Sequence, residues 1–269
     1  MSLWSRKEAL DEAFFVLENL RNTRRIKAIM RRYPELFERS RKISSEVAAV
    51  TGPRVAVVAN GPSCRGITAD APSLIFVNFG YQHPEFINAT RPILIVVDNK
   101  LADGGWSLDM LREAQEINGD VTFALGALLL QSPKVRAFAE CERCMIVGNY
   151  LTATRYAKPS RPFTAGGINY GGAVTEQGIA LALTLGTQEI DIYGFDGNNV
   201  VLGLAGQDTH FYGSDPKKDW TQPEFVAREL RFLSYFIDRN RYLAELIKAQ
   251  GVRLTNHSPT PFMSRMGTK

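Results

Sequence analysis

Short apolar runs rich in β-branched residues alternate with longer segments of helical spacing through most of this chain. Runs of three to five residues are too short for buried helices and suit strands covered on both faces. This alternation predicts a doubly wound α/β fold with a mostly parallel sheet. The predicted strands are residues 55–59, 74–77, 93–97, 121–125, 145–147, 190–193 and 252–254, and the clearest predicted helices are residues 108–117, 175–185 and 222–249.

The first 50 residues differ from the rest in both pattern and charge. A capping box at residues 5–8 precedes apolar residues at helical spacing, and Pro34 separates a second predicted helix from a third. The segment holds 11 of the 32 Lys and Arg and 7 of the 28 Asp and Glu, which leaves 21 of each sign elsewhere, so it carries the whole net charge of +4. We therefore predict a basic helical appendage over residues 1–50 and a Rossmann-like sheet domain over residues 51–269.

Composition and charge narrow the classes of partner. With 45% hydrophobic and 22% charged residues, the chain has the balance of an ordinary globular protein. No apolar run reaches the roughly 18 residues of a membrane span, and charges stand where a signal peptide would be apolar, so we expect a cytoplasmic location. The basic appendage leaves open a peripheral contact at the inner membrane face, or a contact with a second copy of the chain. The neutral sheet domain has no basic and aromatic patch, so we expect no nucleic-acid partner.

Asparagines follow three of the predicted strands, at Asn60, Asn78 and Asn99. The carboxyl ends of parallel strands share one edge, and ligands of open α/β sheets bind beyond that edge, so three carboxamides can converge on one ligand. A carboxamide both donates and accepts, which suits a nucleobase edge or ribose hydroxyls better than a bare phosphate. In the first turn, Gly61 permits close backbone approach and Ser63 adds a hydroxyl. A plain turn is the alternative for each asparagine taken alone.

A glycine-rich turn and a long loop add candidate chemistry. Paired glycines at residues 166–172 precede a predicted helix, where free backbone N–H groups can face an anion, although the signature of a P-loop is missing. Asp196 stands just past a predicted strand, and the loop after it carries His210, which suits abstraction of a hydroxyl proton near neutral pH. Tyr212 or Tyr156 is a candidate to stabilise a departing phosphate without a metal.

The order of these motifs resembles that of a known enzyme superfamily. VVANGPS at residues 57–63, VNFGY at 77–81 and DN at 98–99 are similar to the opening half of the bacterial sialyltransferases of glycosyltransferase family 42. GGAVT at 171–175, with IYGFD and TH further on, is more similar to the related Maf flagellin glycosyltransferases. Archaeal hydroxymethylpterin pyrophosphokinases of the MptE type belong to the same superfamily. The resemblance covers about residues 54–260.

The resemblance implies roles for individual residues. It implies a catalytic base at His210, after the Asp196 motif, and His257 is a second candidate base. The family's tyrosines near the leaving phosphate are replaced by Gly-Asn-Asn at residues 197–199. The residues that the resemblance implies for holding the nucleotide and donor are Asn60, Gly61, Pro62, Ser63, Asn78, Asn99, Gly172, Ala173, Val174, Thr175 and Ser258.

On this basis we hypothesise an inverting, metal-independent glycosyltransferase that needs no cofactor. It would move an acidic sugar, such as sialic acid, another nonulosonate or Kdo, from CMP to a glycan or protein acceptor, for example a bacterial surface glycan. Two alternatives stay open. One is a pterin pyrophosphokinase in which Asp98, Asp196 and Asp208 bind Mg²⁺ for ATP chemistry. The other is a non-catalytic module that binds a nucleotide or a glycan.

Overall fold

Seven parallel strands form one sheet in the order β5-β4-β3-β2-β1-β6-β7 in the computed structural model, which describes residues 17, 20–148, 174–213, 219–230, 233, 244 and 247–258. Each predicted strand is present, with ends within two residues of those expected, and the predicted α/β fold is confirmed. The strands are β1 Arg54–Val58, β2 Ser73–Val77, β3 Ile93–Val96, β4 Thr122–Gly126, β5 Cys144–Val147, β6 Glu189–Tyr193 and β7 Arg253–Asn256.

Helices connect the strands and cover both faces of the sheet. Proline occupies the first turn of α2, α3 and α5, where a missing backbone N–H costs no intrahelical hydrogen bond. The helices are α1 at residues 20–32, α2 Pro34–Val50, α3 Pro84–Asn88, α4 Asp109–Ile117, α5 Pro133–Cys141, α6 Val174–Thr184 and α7 Asn199–Leu204, and residues 223–230 and 247–249 are also helical. No helix in these described ranges is long and apolar enough to cross a membrane.

Alternate residues of each strand enter two hydrophobic layers. Ala56 and Val58 of β1 join the layer that contains α3, α4 and α5, while Val55 and Val57 join the layer that contains α6. Because both faces are covered, nearly every strand position is buried, which explains the continuous apolar runs.

The described helices of the first 50 residues pack on the sheet. Ile26 of α1 and Phe37 of α2 are buried in one layer, and Ile43 and Val47 of α2 in the other. Beside β5, the buried hydroxyl of Ser40 accepts a hydrogen bond from the Ile146 N–H at 2.7 Å. These helices therefore share the core of the sheet, and the predicted domain boundary at residue 50 stays a prediction.

The strand order places a topological switch point between β1 and β6. From β1 the chain moves outward through β2, β3 and β4 to β5, and then returns to β6 on the other side of β1. In open α/β sheets the crevice beyond the carboxyl ends of two such strands is the usual ligand site. We call it the β1–β6 crevice, formed by residues 59–64 after β1 and residues 194–198 after β6.

Candidate functional site

Backbone hydrogen bonds join the two turns of the β1–β6 crevice. The Ala59 N–H donates to the Tyr193 carbonyl at 2.8 Å, and the Gly61 N–H donates to the Gly194 carbonyl at 2.8 Å. A Cβ atom at position 61 would collide with the Gly194 carbonyl oxygen and with the Asp196 carboxylate. The close approach of these turns therefore requires glycine at position 61.

Side chains of the same two turns hold them together. The Asp196 carboxylate, on a residue that is 2% exposed, accepts hydrogen bonds from the Ser63 N–H at 2.9 Å and from the Ser63 hydroxyl. The hydroxyl of Ser258, just past β7, accepts from the Phe195 N–H at 2.8 Å. Asp196, Ser63 and Ser258 thus act as positioning residues here, and their expected contacts with a nucleotide or a reacting group stay predictions. Pro62 opens the 3₁₀ turn between Gly61 and these contacts.

Carboxamide groups are concentrated at this edge of the sheet. Asn60 follows β1, Asn78 follows β2, and Gln177 lies in the first half of α6. Within the described ranges, the side-chain oxygens of all three are buried and have no hydrogen-bond partner. The same holds for the Asn198 oxygen after β6 and for the side-chain nitrogen of Asn256 at the end of β7. Buried polar atoms are nearly always hydrogen-bonded, so the open carboxamides at this edge are candidates for contact with a ligand.

The neighbours of these carboxamides fix their place around the crevice. A Cβ added to Gly80, in the turn after β2, would lie 3.7 Å from the Asn60 oxygen. A Cβ on Gly178 of α6 would lie 3.7 Å from Val77, the last residue of β2. The turns after β1 and β2 are therefore adjacent, and the start of α6 lies over the carboxyl ends of these strands.

Asn78 has a backbone conformation that asparagine tolerates better than most residues. Its φ is 48°, in the left-handed region, where it begins the 3₁₀ turn after β2. Asn99 begins a similar turn after β3, but it is exposed and two strands away from β1. The structure thus brings Asn60 and Asn78 together, and Asn99 lies further along the edge.

The loop that carries His210 is attached to the turn after β1. The Phe211 N–H donates to the Asn60 carbonyl at 2.9 Å, and the Arg65 guanidinium donates to the Phe211 carbonyl at 3.0 Å. The His210 ring stacks on Tyr212, with ring centroids 5.0 Å apart. The structure therefore places the His210 loop beside the turn that carries Asn60, and the catalytic roles expected for His210 and Tyr212 stay predictions.

The second candidate base, His257, lies on the β6–β7 side of the crevice. Its Nε2 is 2.7 Å from an oxygen of Asp191, and its ring stacks on Tyr193 with centroids 4.4 Å apart. Asp191 is buried and also accepts from Arg54 Nε at 2.6 Å. Hydrogen bonding and charge attraction from Asp191 raise the pKa of Arg54. Burial, and secondarily the Asp191 charge, raise the pKa of Tyr193.

The thiol in the turn after β1 is not a nucleophile at neutral pH. Burial, followed by the negative charge of Asp196, raises the pKa of Cys64 to about 12. The neutral thiol donates to the Ala59 carbonyl at 3.3 Å and stabilises the turn. Across the described residues, no group of three or more His, Cys, Asp or Glu side chains is placed to hold a metal ion.

Part of the predicted site lies outside the described residues. This applies to Gly172 and Ala173 of the predicted donor-binding turn and to Tyr156. Val174 and Thr175 form the start of α6, which begins one residue before the predicted start at residue 175.

Comparisons with known proteins give distant structural neighbours. A scan of protein-family models and a search of curated proteins find no match to this chain. One solved structure similar to it is the sialyltransferase CstII from Campylobacter jejuni in complex with the substrate analogue CMP-3FNeuAc, at 14% identity and a TM-score of 0.41, over 79% of this chain and 84% of that one. A second is the sialyltransferase CST-II with a trisaccharide acceptor and CMP, at 14% identity and a TM-score of 0.44, over 80% and 85% of the two chains. A likeness of this degree does not extend to function.

Sequence reasoning missed Gln177, Asn198 and Asn256 as site residues. Gln177 stands four residues before Leu181, so it shares the buried, sheet-facing stripe of α6, where a polar residue is unusual. A polar residue at this inward position of the helix was the signal in the sequence that pointed to Gln177. Asn198 and Asn256 gave none, since asparagine is common in turns and at strand ends.

Proposed function

We propose that this protein is a glycosyltransferase that uses a CMP-activated sugar, with the nucleotide bound at the β1–β6 crevice. The observation that carries the proposal is the pair of buried carboxamide oxygens of Asn60 and Asn78, which have no partner within the described residues. Both atoms accept hydrogen bonds and therefore need a ligand that donates. Phosphate oxygens only accept when ionised, whereas the ribose hydroxyls and the amino group of cytidine donate. The motif resemblance supplies the choice of CMP-sugar among nucleotides.

In the proposed reaction His210 removes the proton of an acceptor hydroxyl. The acceptor oxygen then forms a bond to the anomeric carbon while the bond from that carbon to the phosphate oxygen breaks, and CMP leaves with the electron pair. Attack opposite the leaving group inverts the configuration. The backbone hydrogen bond from Phe211 to Asn60 and the stacking on Tyr212 support His210 as the base, because both hold its ring beside the crevice. Tyr212 is proposed to assist departure of the phosphate.

His257 is the weaker candidate for the base. Its Nε2 is engaged with Asp191, whose other oxygen binds Arg54, so the ring is held in a protein network on the β6–β7 side. That arrangement supports a structural contribution to the end of β7.

Other parts of the proposal rest on the motif resemblance and the charge distribution. These are the acidic sugar, the glycan or protein acceptor, independence from metal, and a cytoplasmic location with membrane-surface or homo-oligomer contact through residues 1–50. The metal-dependent alternative requires Asp98, Asp196 and Asp208 to share an ion. In the structure these carboxylates bind the Lys100 N–H, Ser63 and Arg65 respectively, which favours the transferase.

Thermal shift with CMP, CDP, UDP, GDP and ATP, each with and without Mg²⁺, tests the proposed nucleotide. A ligand that binds only the native state adds about 2.7 kcal/mol of stability at 100 times its Kd. We expect CMP to raise the melting temperature without Mg²⁺. Stabilisation by ATP with Mg²⁺, and none by CMP, would contradict the proposal and favour the pyrophosphokinase.

The His210→Ala variant tests the proposed base. With a CMP-sugar donor, transfer is expected to fall about 100-fold or more, because proton transfer by a positioned base contributes that much. The CMP-induced thermal shift should be retained, since the imidazole is not assigned to the nucleotide. His257→Ala is the matched control, and a larger loss of transfer in that variant would exchange the two roles.

A further inference from the structure

Gln177 is a buried polar residue in the first half of α6. It is 7% exposed, and its side-chain oxygen Oε1 has no hydrogen-bond partner in the part of the chain that the structure describes. An unpartnered buried oxygen destabilises a folded protein, so a polar residue at this inward position needs an explanation. A ligand that donates a hydrogen bond to Oε1 supplies one.

The residues that follow Gln177 on α6 pack against apolar side chains. The next residue, Gly178, lies so close to the sheet that an added Cβ would be 3.0 Å from Val57 and 3.6 Å from Ile75. Ile179 and Leu181 on the same helix are buried in the layer between α6 and the sheet. A ligand group that reaches Oε1 would therefore be flat and weakly polar rather than a phosphate or a carboxylate.

The three carboxamide residues Asn60, Asn78 and Gln177 differ in how exposed they are to solvent. Asn60 and Asn78 are only partly buried, whereas Gln177 is almost fully buried. A pyrimidine nucleotide has hydroxyl donors on its polar ribose and an amino donor on its apolar base. The polar ribose fits the more exposed Asn60 and Asn78, so its hydroxyls are assigned to them. The apolar base fits the more buried Gln177.

We infer that Gln177 determines the base specificity of the nucleotide site: its Oε1 accepts a hydrogen bond from the exocyclic amino group of cytosine. This inference rests on the proposed function. Uracil has a carbonyl oxygen at the equivalent position, which Oε1 repels in the orientation that the structure gives it, so UMP requires the carboxamide to rotate and offer Nε2 instead. The site therefore favours CMP over UMP, and the preference depends on the acceptor at position 177.

Calorimetric titration of CMP and UMP into the wild type and the Gln177→Met variant measures this preference. Methionine keeps the length of glutamine without the acceptor, so CMP is expected to bind about 10- to 100-fold more weakly while UMP changes much less. The melting temperature of the ligand-free variant should not fall, because an unpartnered polar atom has been removed. Gln115→Met on α4 is the matched control, since Gln115 hydrogen-bonds to Glu142 away from the crevice; both affinities should stay unchanged.

The Gln177→Glu variant restores an acceptor at the same place. A carboxylate beside an anionic nucleotide weakens binding of both ligands, but the ratio of CMP to UMP affinity should remain on the side of CMP. An equal loss for CMP and UMP in Gln177→Met would move the contact to the ribose and overturn the inference. A wild type that prefers CMP, with the same preference in Gln177→Met, would overturn the inference and leave the proposed function standing. A wild type that binds neither nucleotide would refute both.

Discussion

Polar side chains serve opposite purposes at the β5 edge of the sheet and at the β1–β6 crevice. Beside β5 they link protein to protein: Ser40 binds the Ile146 N–H, and Arg143 Nη1 lies 2.9 Å from a Glu46 oxygen. In the crevice and in the adjoining turn after β2, the buried side-chain oxygens of Asn60 and Asn78 have no partner in the described residues.

The difference separates a region whose polar groups are satisfied within the protein from one whose carboxamides are open to the proposed ligand. At the β5 edge, the buried hydrogen bond of Ser40 contributes to the packing of α2. The crevice and the adjoining turn after β2 instead contain carboxamide oxygens without a partner in the described residues, an Asn78 with left-handed φ, and a Gly61 with no room for a Cβ atom. Strained conformations and unpartnered polar atoms collect at functional sites, because the surrounding structure maintains them against their local cost. We therefore expect substitutions at the crevice to impair ligand binding, and substitutions at the β5 edge to lower stability alone.

The largest effect is expected from Gly61→Ala. The new methyl group meets the Gly194 carbonyl and the Asp196 carboxylate, so the turns after β1 and β6 must separate. Overpacking of this kind costs about 3 kcal/mol, and the CMP-induced thermal shift should disappear with the geometry of the crevice. Urea unfolding with and without CMP measures both effects. Gly119→Ala is the control, since nothing lies within 4 Å of its Cβ position, and equal midpoints for the two variants would contradict the close approach.

A smaller effect, on stability alone, is expected from Ser40→Ala at the β5 edge. The substitution leaves the buried Ile146 N–H without its acceptor, which costs about 1 to 2 kcal/mol. The rise in melting temperature caused by CMP should equal that of the wild type, because β5, which Ser40 contacts, is four strands away from β1 in the sheet. Ser45→Ala on the same helix removes an exposed hydroxyl that binds the Arg41 carbonyl, and it should be nearly neutral. Loss of the CMP response in Ser40→Ala would mean that the two regions are coupled.

The fold was predictable from the sequence because parallel strands buried on both faces leave a direct signal. The β1 run is apolar at every position from Val55 to Ala59, and turn residues bound it. Strand order was not predictable, since the order follows from helix and sheet packing between distant segments. The contact between Ser63 and Asp196 spans 133 residues and exists only because β6 lies next to β1.

The candidate site was partly predictable for the same reason. Asn60 and Asn78 follow strands, so their place at the carboxyl edge comes from the fold class alone. The positioning contacts of Asp196 and Ser258 depend on which strands are neighbours, and the sequence contains no record of that. Gln177 lies in the apolar helix α6, where its place four residues before Leu181 was a signal that it is buried, although packing decides which face of the helix meets the sheet.

The smallest change in stability, and the sharpest separation from binding, is expected at Asn78. In Asn78→Gly the left-handed φ of 48° costs nothing, so stability should stay within about 1 kcal/mol of the wild type. Alanine at position 78 must adopt the same left-handed φ, which it tolerates less well than asparagine. Asn78→Ala should therefore be about 1 kcal/mol less stable than Asn78→Gly. Both variants lose the carboxamide and should bind CMP about tenfold more weakly. Urea midpoints and CMP titrations on this pair distinguish conformation from contact. If CMP binding followed stability, with only Asn78→Ala impaired, then Asn78 would shape the turn rather than bind the nucleotide.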